Sequence, residues 1–188
     1  NQQPATSNQQ PATSNQQPAT SNQQPATMFI ITHATLPVLL ANGRELWLER
    51  KGREKKLTRK TLLLIALAGA LADLLNPHIT LKARLDSWSH SLLALVVFGL
   101  LLLLGISFKA GKAKYLFTWF FIAYALHLFC DALAGGICLM YPSRELYGAP
   151  YLVGGALWVA FDIACLLMLY AQSWYRRFRL IRDSGRPF

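Results

Sequence analysis

Residues 87–108 read SWSHSLLALVVFGLLLLLGISF, a stretch without a single Asp, Glu, Lys or Arg. An uncharged apolar run longer than about 18 residues predicts a membrane-crossing helix, because a helix satisfies its own backbone polar groups and here no charge has to leave water. Two further stretches repeat the pattern, since 115–143 and 146–175 hold one Asp each and no other charge. The whole chain of 188 residues agrees: it is 53% hydrophobic and only 15% charged, with 19 Lys and Arg against 9 Asp and Glu, a formal net charge of +10. That balance is too apolar for a nucleic-acid-binding domain and too basic for an ordinary soluble one. The length leaves room for one small helical bundle rather than a multi-domain enzyme.

Outward from that stretch, apolar runs at 28–42, 61–76, 90–108, 115–140 and 151–172 predict an all-α integral membrane helical bundle. The run at 61–76 stops at Asn76-Pro77 and that at 115–140 at Tyr141-Pro142, because proline cannot continue a helix. The first run reaches only about 22 Å at 1.5 Å per residue against a hydrocarbon core of about 30 Å, so the expected count is four or five spans. Residues 44–60, RELWLERKGREKKLTRK, read as a basic connector, and 173–188 as a basic cytoplasmic tail. Residues 1–27 are NQQPATS repeats without a large apolar side chain, a composition that predicts disorder. Their perfect identity, ending directly at Met28, predicts that Met28 is the natural start and that 28–172 is the folded membrane domain. No secretory signal peptide is expected, because no basic segment precedes the first apolar run.

Sixteen of the nineteen basic residues fall in the connectors before 61, between 108 and 115, and after 172, and three fall in the alternate connectors. Basic residues mark the cytoplasmic side, so the C-terminus is expected in the cytoplasm and the chain in the inner (plasma) membrane. The basic segments then read as anchors to anionic lipid, worth about 1 kcal/mol per residue, with no nucleic-acid partner. Cys130, Cys138 and Cys165 show no metal-binding or disulfide spacing and read as small core residues.

Ionisable groups inside apolar helices cost several kcal/mol unless they are partnered, which makes them the most informative positions of the chain. All four histidines, His33, His78, His90 and His127, lie within or at the ends of apolar runs, as do Asp73, Asp131 and Asp162. The expected topology puts most of them toward the outer side, and His127 with Asp131 shares one helical face at i, i+4. Any one of them alone would be a hydrogen-bonded partner or a helix cap more often than a ligand. Together they predict one cavity lined by imidazole and carboxylate, ligands that suit zinc first, with manganese and iron as alternatives. A proton relay or ion path in an Asp/His-lined transporter uses the same groups, and an inactive scaffold would use none of them.

Several local patterns resemble one family, the LexA-regulated, membrane-bound metal-dependent hydrolases, or YdjM-like inner-membrane hydrolases. RLDSWSHSLL at 84–93 is similar to the family's His-Arg-Gly-x-Thr-His-Ser-Leu-Leu, and HLFCDALAGGICLMYP at 127–142 to its His-x-x-x-Asp followed by a Gly-containing stretch and an aromatic-Pro pair. ADLLNP at 72–77 resembles Pro-Asp-x-Asp-His-Pro, and Thr32-His33 its early Thr-His pair. The resemblance implies that His33, Asp73, His90, His127 and Asp131 are metal ligands. This chain departs from the pattern at Leu75, Asn76 and Leu85, where the family has an acid and two histidines; His78 and Asp86 stand nearby as replacements. The expected function is hydrolysis of an ester or phosphoester, of a lipid or lipid-linked molecule, by metal-activated water. In that scheme Asp73 and Asp162 carry catalytic roles, Asp162 as acceptor for a ligand imidazole or for a proton. The alternative is a non-enzymatic membrane protein.

Overall fold

The computed structural model describes residues 29–183 apart from 55, 78–86, 108–111, 135, 144, 146 and 148–154. The repeat at 1–27 and the end of the basic tail lie outside the described residues, as do His78, Leu85 and Asp86. Six α-helices follow in order among the described residues: α1 Phe29–Arg50, α2 Arg59–Gly69, α3 Leu71–Leu75, α4 Leu92–Ser107, α5 Lys112–Ala134 and α6 Gly155–Asp183, with a 3₁₀ turn at Trp88–His90 before α4. Among the described residues the only β pairing is an isolated antiparallel bridge between Ile137 and Tyr147. The all-α expectation holds.

Three boundaries differ from the reading of the sequence. The basic stretch 44–60 is not all connector, since α1 runs on through Arg50. Residues 44–51 hold no glycine or proline, and it is Gly52, with φ 69°, that ends the helix, with Gly52 N–H donating to Glu49 O and Arg53 N–H to Leu48 O. The helix expected over 115–140 stops at Ala134 instead, and Gly136 just beyond it adopts φ 83°. The expected tail 173–188 begins as helix to Asp183, supported by an Arg179–Asp183 pair one turn apart.

Helix directions follow from residue pairs. Gly69 packs on His33 while Leu57 N–H reaches Glu45, so α2 runs antiparallel to α1. Tyr115 meets Glu45 and Asp131 meets His33, so α5 also opposes α1. Gly99 lies on the Phe121 ring and Gly105 on Phe117, so α4 opposes α5. On α6, Asp162 accepts from the Thr32 hydroxyl, Gln172 Oε1 accepts from Asn42 Nδ2 at 2.6 Å, and Arg176 pairs with Glu49, so α6 runs parallel to α1. Five rods therefore alternate in direction, with α2 and α3 forming one rod broken at Ala70. His33, Asp73, His90, His127 and Asp131 gather at one end, and Arg44, Lys56, Lys114 and Arg176 at the other.

The surface is apolar where a water-soluble protein would be polar. Leu100, Leu101, Leu103 and Leu104 on α4 and Leu157, Leu167 and Tyr170 on α6 are all more than half exposed. Two helices, over Ala113–Ala134 and Leu157–Asp183, are long and apolar enough to cross a membrane, and α4 is apolar but shorter. Cys130, Cys138 and Cys165 are buried and unbridged, as expected of core residues.

Glu45 locks the basic end. Although it sits in the most basic stretch of the chain, it is fully buried. Its carboxylate accepts from the Lys56 and Leu57 backbone N–H groups at 2.6 and 3.1 Å and from the Tyr115 hydroxyl at 2.9 Å. Arg44 also bonds the Tyr115 hydroxyl, and Arg44 and Lys56 both lie over its ring. Glu45→Ala strands two backbone donors and is expected to cost about 2–3 kcal/mol. Glu49→Ala, whose Arg176 partner is partly exposed, is expected to cost under about 1 kcal/mol. Thermal unfolding of the detergent-solubilised protein compares them, and equal losses would deny Glu45 its role as the lock.

Candidate metal centre

The centre starts from a proline. Pro37 lies inside α1 and has no N–H, so the carbonyl one turn before it, that of His33, receives no helical hydrogen bond from it. Gly69 fills the gap: a Cβ there would stand 2.2 Å from His33 O and 2.9 Å from Pro37 Cγ, so only a glycine Cα–H can approach. This crossing holds His33 against α2. Just beyond it, the helical path breaks at Ala70 (φ −92°, ψ 2°) before α3 carries Asp73.

The SWSHS segment places His90. Serine hydroxyls compete for backbone groups and favour a short turn over a regular helix start. Ser91 Oγ accepts from Ala94 N–H at 3.2 Å and donates to Trp88 O at 2.6 Å, capping α4. Tyr124 on α5 donates to Ser89 O at 2.6 Å, and Leu92 N–H to Leu139 O at 2.8 Å, which tie the turn to its neighbours. His127 and Asp131 follow on α5, one turn apart on one face.

All five of these groups meet. His33 Nε2 lies 3.2 Å from Asp131 Oδ1, while His90 Nε2 and His127 Nε2 lie 3.3 and 3.2 Å from Asp131 Oδ2. Asp73 Oδ1 is 3.3 Å from His90 Nε2 and 3.8 Å from His127 Nε2. The His90 and His127 Nε2 atoms are themselves 3.2 Å apart. The His33 and His127 rings lie 4.0 Å apart between centroids, tilted by 36°. His33, His90, His127 and Asp131 are buried, and only Asp73, its side chain 16% exposed, reaches the surface.

Hydrogen bonds around the rings assign their protons. The Ala72 carbonyl can only accept, so Ser89 Oγ donates to it at 2.8 Å. Ser89 Oγ then offers lone pairs to Ser87 Oγ at 2.8 Å, and Ser87 is the donor there. With that proton committed, Ser87 Oγ accepts from His90 Nδ1 at 2.9 Å, with Ser89 Oγ 3.2 Å from the same nitrogen. His127 Nδ1 donates to the Gly69 carbonyl at 2.7 Å. In the neutral rings both Nε2 atoms therefore present lone pairs to each other and to carboxylate oxygens. Buried lone pairs and carboxylates packed in this way need a shared positive charge, a proton or a metal ion.

The residues fit a metal. Two overlapping groups, His33 with Asp73 and His127, and His90 with His127 and Asp131, each bring ligand atoms within 4.8 Å of one another. His33 Nδ1 is buried without a hydrogen-bond partner among the described residues. Backbone and hydroxyl acceptors behind ligand imidazoles are the usual way proteins orient metal-binding histidines.

Of the residues singled out in the sequence, His33, Asp73, His90, His127 and Asp131 are brought together. Asp162 is not among them: its partner is the hydroxyl of Thr32, the residue before His33, so it meets α1 rather than a ligand imidazole. Leu75 is exposed and Asn76 caps α3. Reading the sequence missed the orienting groups, Ser87, Ser89, Gly69 O and Ala72 O. The serines at 87, 89 and 91, alternating around His90 in an apolar run, were the visible signal for Ser87 and Ser89.

A family model described as YdjM inner membrane protein matches residues 28–181. Comparison with curated proteins and with solved structures gives no match.

The assigned protons can be read directly. Long-range ¹H–¹⁵N correlation spectra of the histidine side chains are expected to place the proton of neutral His90 and His127 on Nδ1. Ser89→Ala should scramble that assignment for His90 and leave His127 unchanged; an Nε2-protonated His90 in the unaltered protein would contradict the relay.

Proposed function

Because the chain belongs to the YdjM inner membrane protein family, we propose that it is a membrane-bound, metal-dependent hydrolase acting on an ester or phosphoester. The observation that carries this reading is the pair of imidazole nitrogens, His90 Nε2 and His127 Nε2, held 3.2 Å apart beside the Asp131 carboxylate. His33, Asp73, His90 and the His127–Asp131 pair converge on this point from four segments of the chain, and the Nε2 lone pairs of His90 and His127 face one another where a purely structural pair would set a donor against an acceptor.

His90, His127 and Asp131 would hold the ion, zinc before manganese or iron, with His33 and Asp73 completing the set. A bound divalent ion supplies Lewis-acid activation of a water and of a phosphoryl or carbonyl oxygen. His127 uses Nδ1 on Gly69, so through Nε2 it serves one ion, and the two overlapping groups cannot both be filled through it. The Ser87–Ser89 relay and the Gly69 carbonyl keep both ligand nitrogens unprotonated and aimed inward. Asp73, at the edge of the centre, is the carboxylate that water can reach and the group placed to take up its proton. Asp162 acts at a distance, holding Thr32 and with it the start of α1.

The alternating helix directions support a bundle of four or five crossings, and the basic clusters at one end support a cytoplasmic C-terminus with the centre toward the outer leaflet. A site at that depth meets lipid headgroups, which makes a lipid or lipid-linked ester the substrate class.

Elemental analysis of the purified protein tests the reading. At least one transition-metal ion per chain is expected, lost on His90→Ala and on His127→Ala. Wild-type protein that is free of metal at neutral pH and carries ion flux in vesicles would replace the hydrolase with a transporter.

A further inference from the structure

The centre reaches the surface at one edge among its described members, and that edge is apolar. Asp73 alone of the five site residues is incompletely buried. The residues that follow it on α3, Leu74 and Leu75, are 59% and 49% exposed. Across from them, the turn that carries His90 is bonded to α3 through Ser89 Oγ and Ala72 O, and it presents Trp88 at 48% exposure. Directly after His90, α4 opens with Leu92 and Leu93, the latter 58% exposed. Leu74, Leu75, Trp88, Leu92 and Leu93 thus all lie within three positions of Asp73 or His90. Asn76, half-buried, is the polar neighbour on that edge.

A polar, charge-bearing interior behind an apolar rim matches one kind of molecule, an amphiphile with a polar ester at one end and a hydrocarbon chain at the other. A small water-soluble ester would gain nothing from the rim. We infer that the substrate reaches the centre sideways from the lipid, passing its headgroup between α3 and the Trp88–His90 turn to Asp73, with its chain lying along Leu74, Leu75 and Leu93. The tail supplies binding through burial of apolar surface, and the metal-ligand cluster receives the polar end. Trp88 suits such a rim, since its ring is amphipathic and favours the headgroup level. The inference takes the polar end of the substrate from the hydrolase reading and adds the tail and the route.

Two phosphonates with the same headgroup test the route, because neither can be hydrolysed as a phosphoester. Binding of decylphosphonate and methylphosphonate to the full-length purified protein in phosphatidylcholine nanodiscs is measured by native mass spectrometry. Decylphosphonate is expected to bind at least about tenfold more tightly, and the doubly substituted Leu74→Gln/Leu75→Gln protein to lose about tenfold of that advantage. Both leucines are exposed, and an unchanged circular dichroism spectrum and metal content confirm an intact fold. Equal binding of the two phosphonates, or full retention of the advantage in the double variant, overturns the route. Hydrolysis of p-nitrophenyl phosphate separates the two readings. Cleavage without tail-dependent binding keeps the hydrolase and removes lateral access, while tail-dependent binding in a protein that is metal-free and cleaves no ester does the reverse.

Discussion

Gly69 meets α1 from one side and α5 from the other, and the upper half of the structure depends on that double contact. Its Cα lies against the His33 carbonyl beside Pro37, a separation that no side chain would permit. Its own carbonyl accepts the Nδ1 proton of His127. One residue without a side chain therefore positions two imidazoles on two different helices and decides which nitrogen of the second faces inward. The break at Ala70 follows immediately and turns Asp73 toward the same point, and the Ala72 carbonyl beyond it anchors Ser89 and so His90. Proline, glycine and a short irregular segment, all weak choices for helix propensity, are concentrated where the chain needs close approach and free carbonyls.

The balance of forces differs between the two ends of the bundle. At the basic end the one buried carboxylate, Glu45, is matched by donors on all sides, two backbone N–H groups and a hydroxyl. That is a closed hydrogen-bond system, and its role is to hold α1, α2 and α5 together. At the other end the Nδ1 protons of His90 and His127 are turned outward, onto a serine and a carbonyl, and their Nε2 atoms face one another. A cluster of that kind opposes folding unless something positive is bound, since isolating charge from water costs several kcal/mol per ion. Where their protons point therefore separates the polar groups that hold helices together from those that could hold an ion.

Much of this was legible in the residues. The uncharged run at 87–108, its two near-copies and the uneven spread of basic residues follow from the cost of placing charge in hydrocarbon, a constraint strong enough to act residue by residue. The five site residues were legible for the same reason, because an imidazole or carboxylate in an apolar run is an exception that needs a cause. Helix ends were less so. Residues 44–50 look like a connector by charge yet form the last two turns of α1, where the buried Glu45 carboxylate finds partners eleven and seventy residues away. The end of α5 at Ala134 was missed although Gly135-Gly136 marked it, since the apolar composition continues to Met140.

The sequence by itself determined the class of environment, the helical architecture and the set of ionisable groups that need a partner, because each of these depends on the transfer energy of single residues. The tertiary structure decided which of those groups meet and how. Asp162 carries the same chemistry as Asp131 and lies in an equally apolar run, but α6 packs parallel to α1 and delivers it to Thr32. The tautomers of His90 and His127 depend on carbonyls of Gly69 and Ala72, backbone atoms that carry no signature in residue type. Orientation of this kind comes from where helices cross, and crossings are set by close packing over the whole bundle rather than by any local run of sequence.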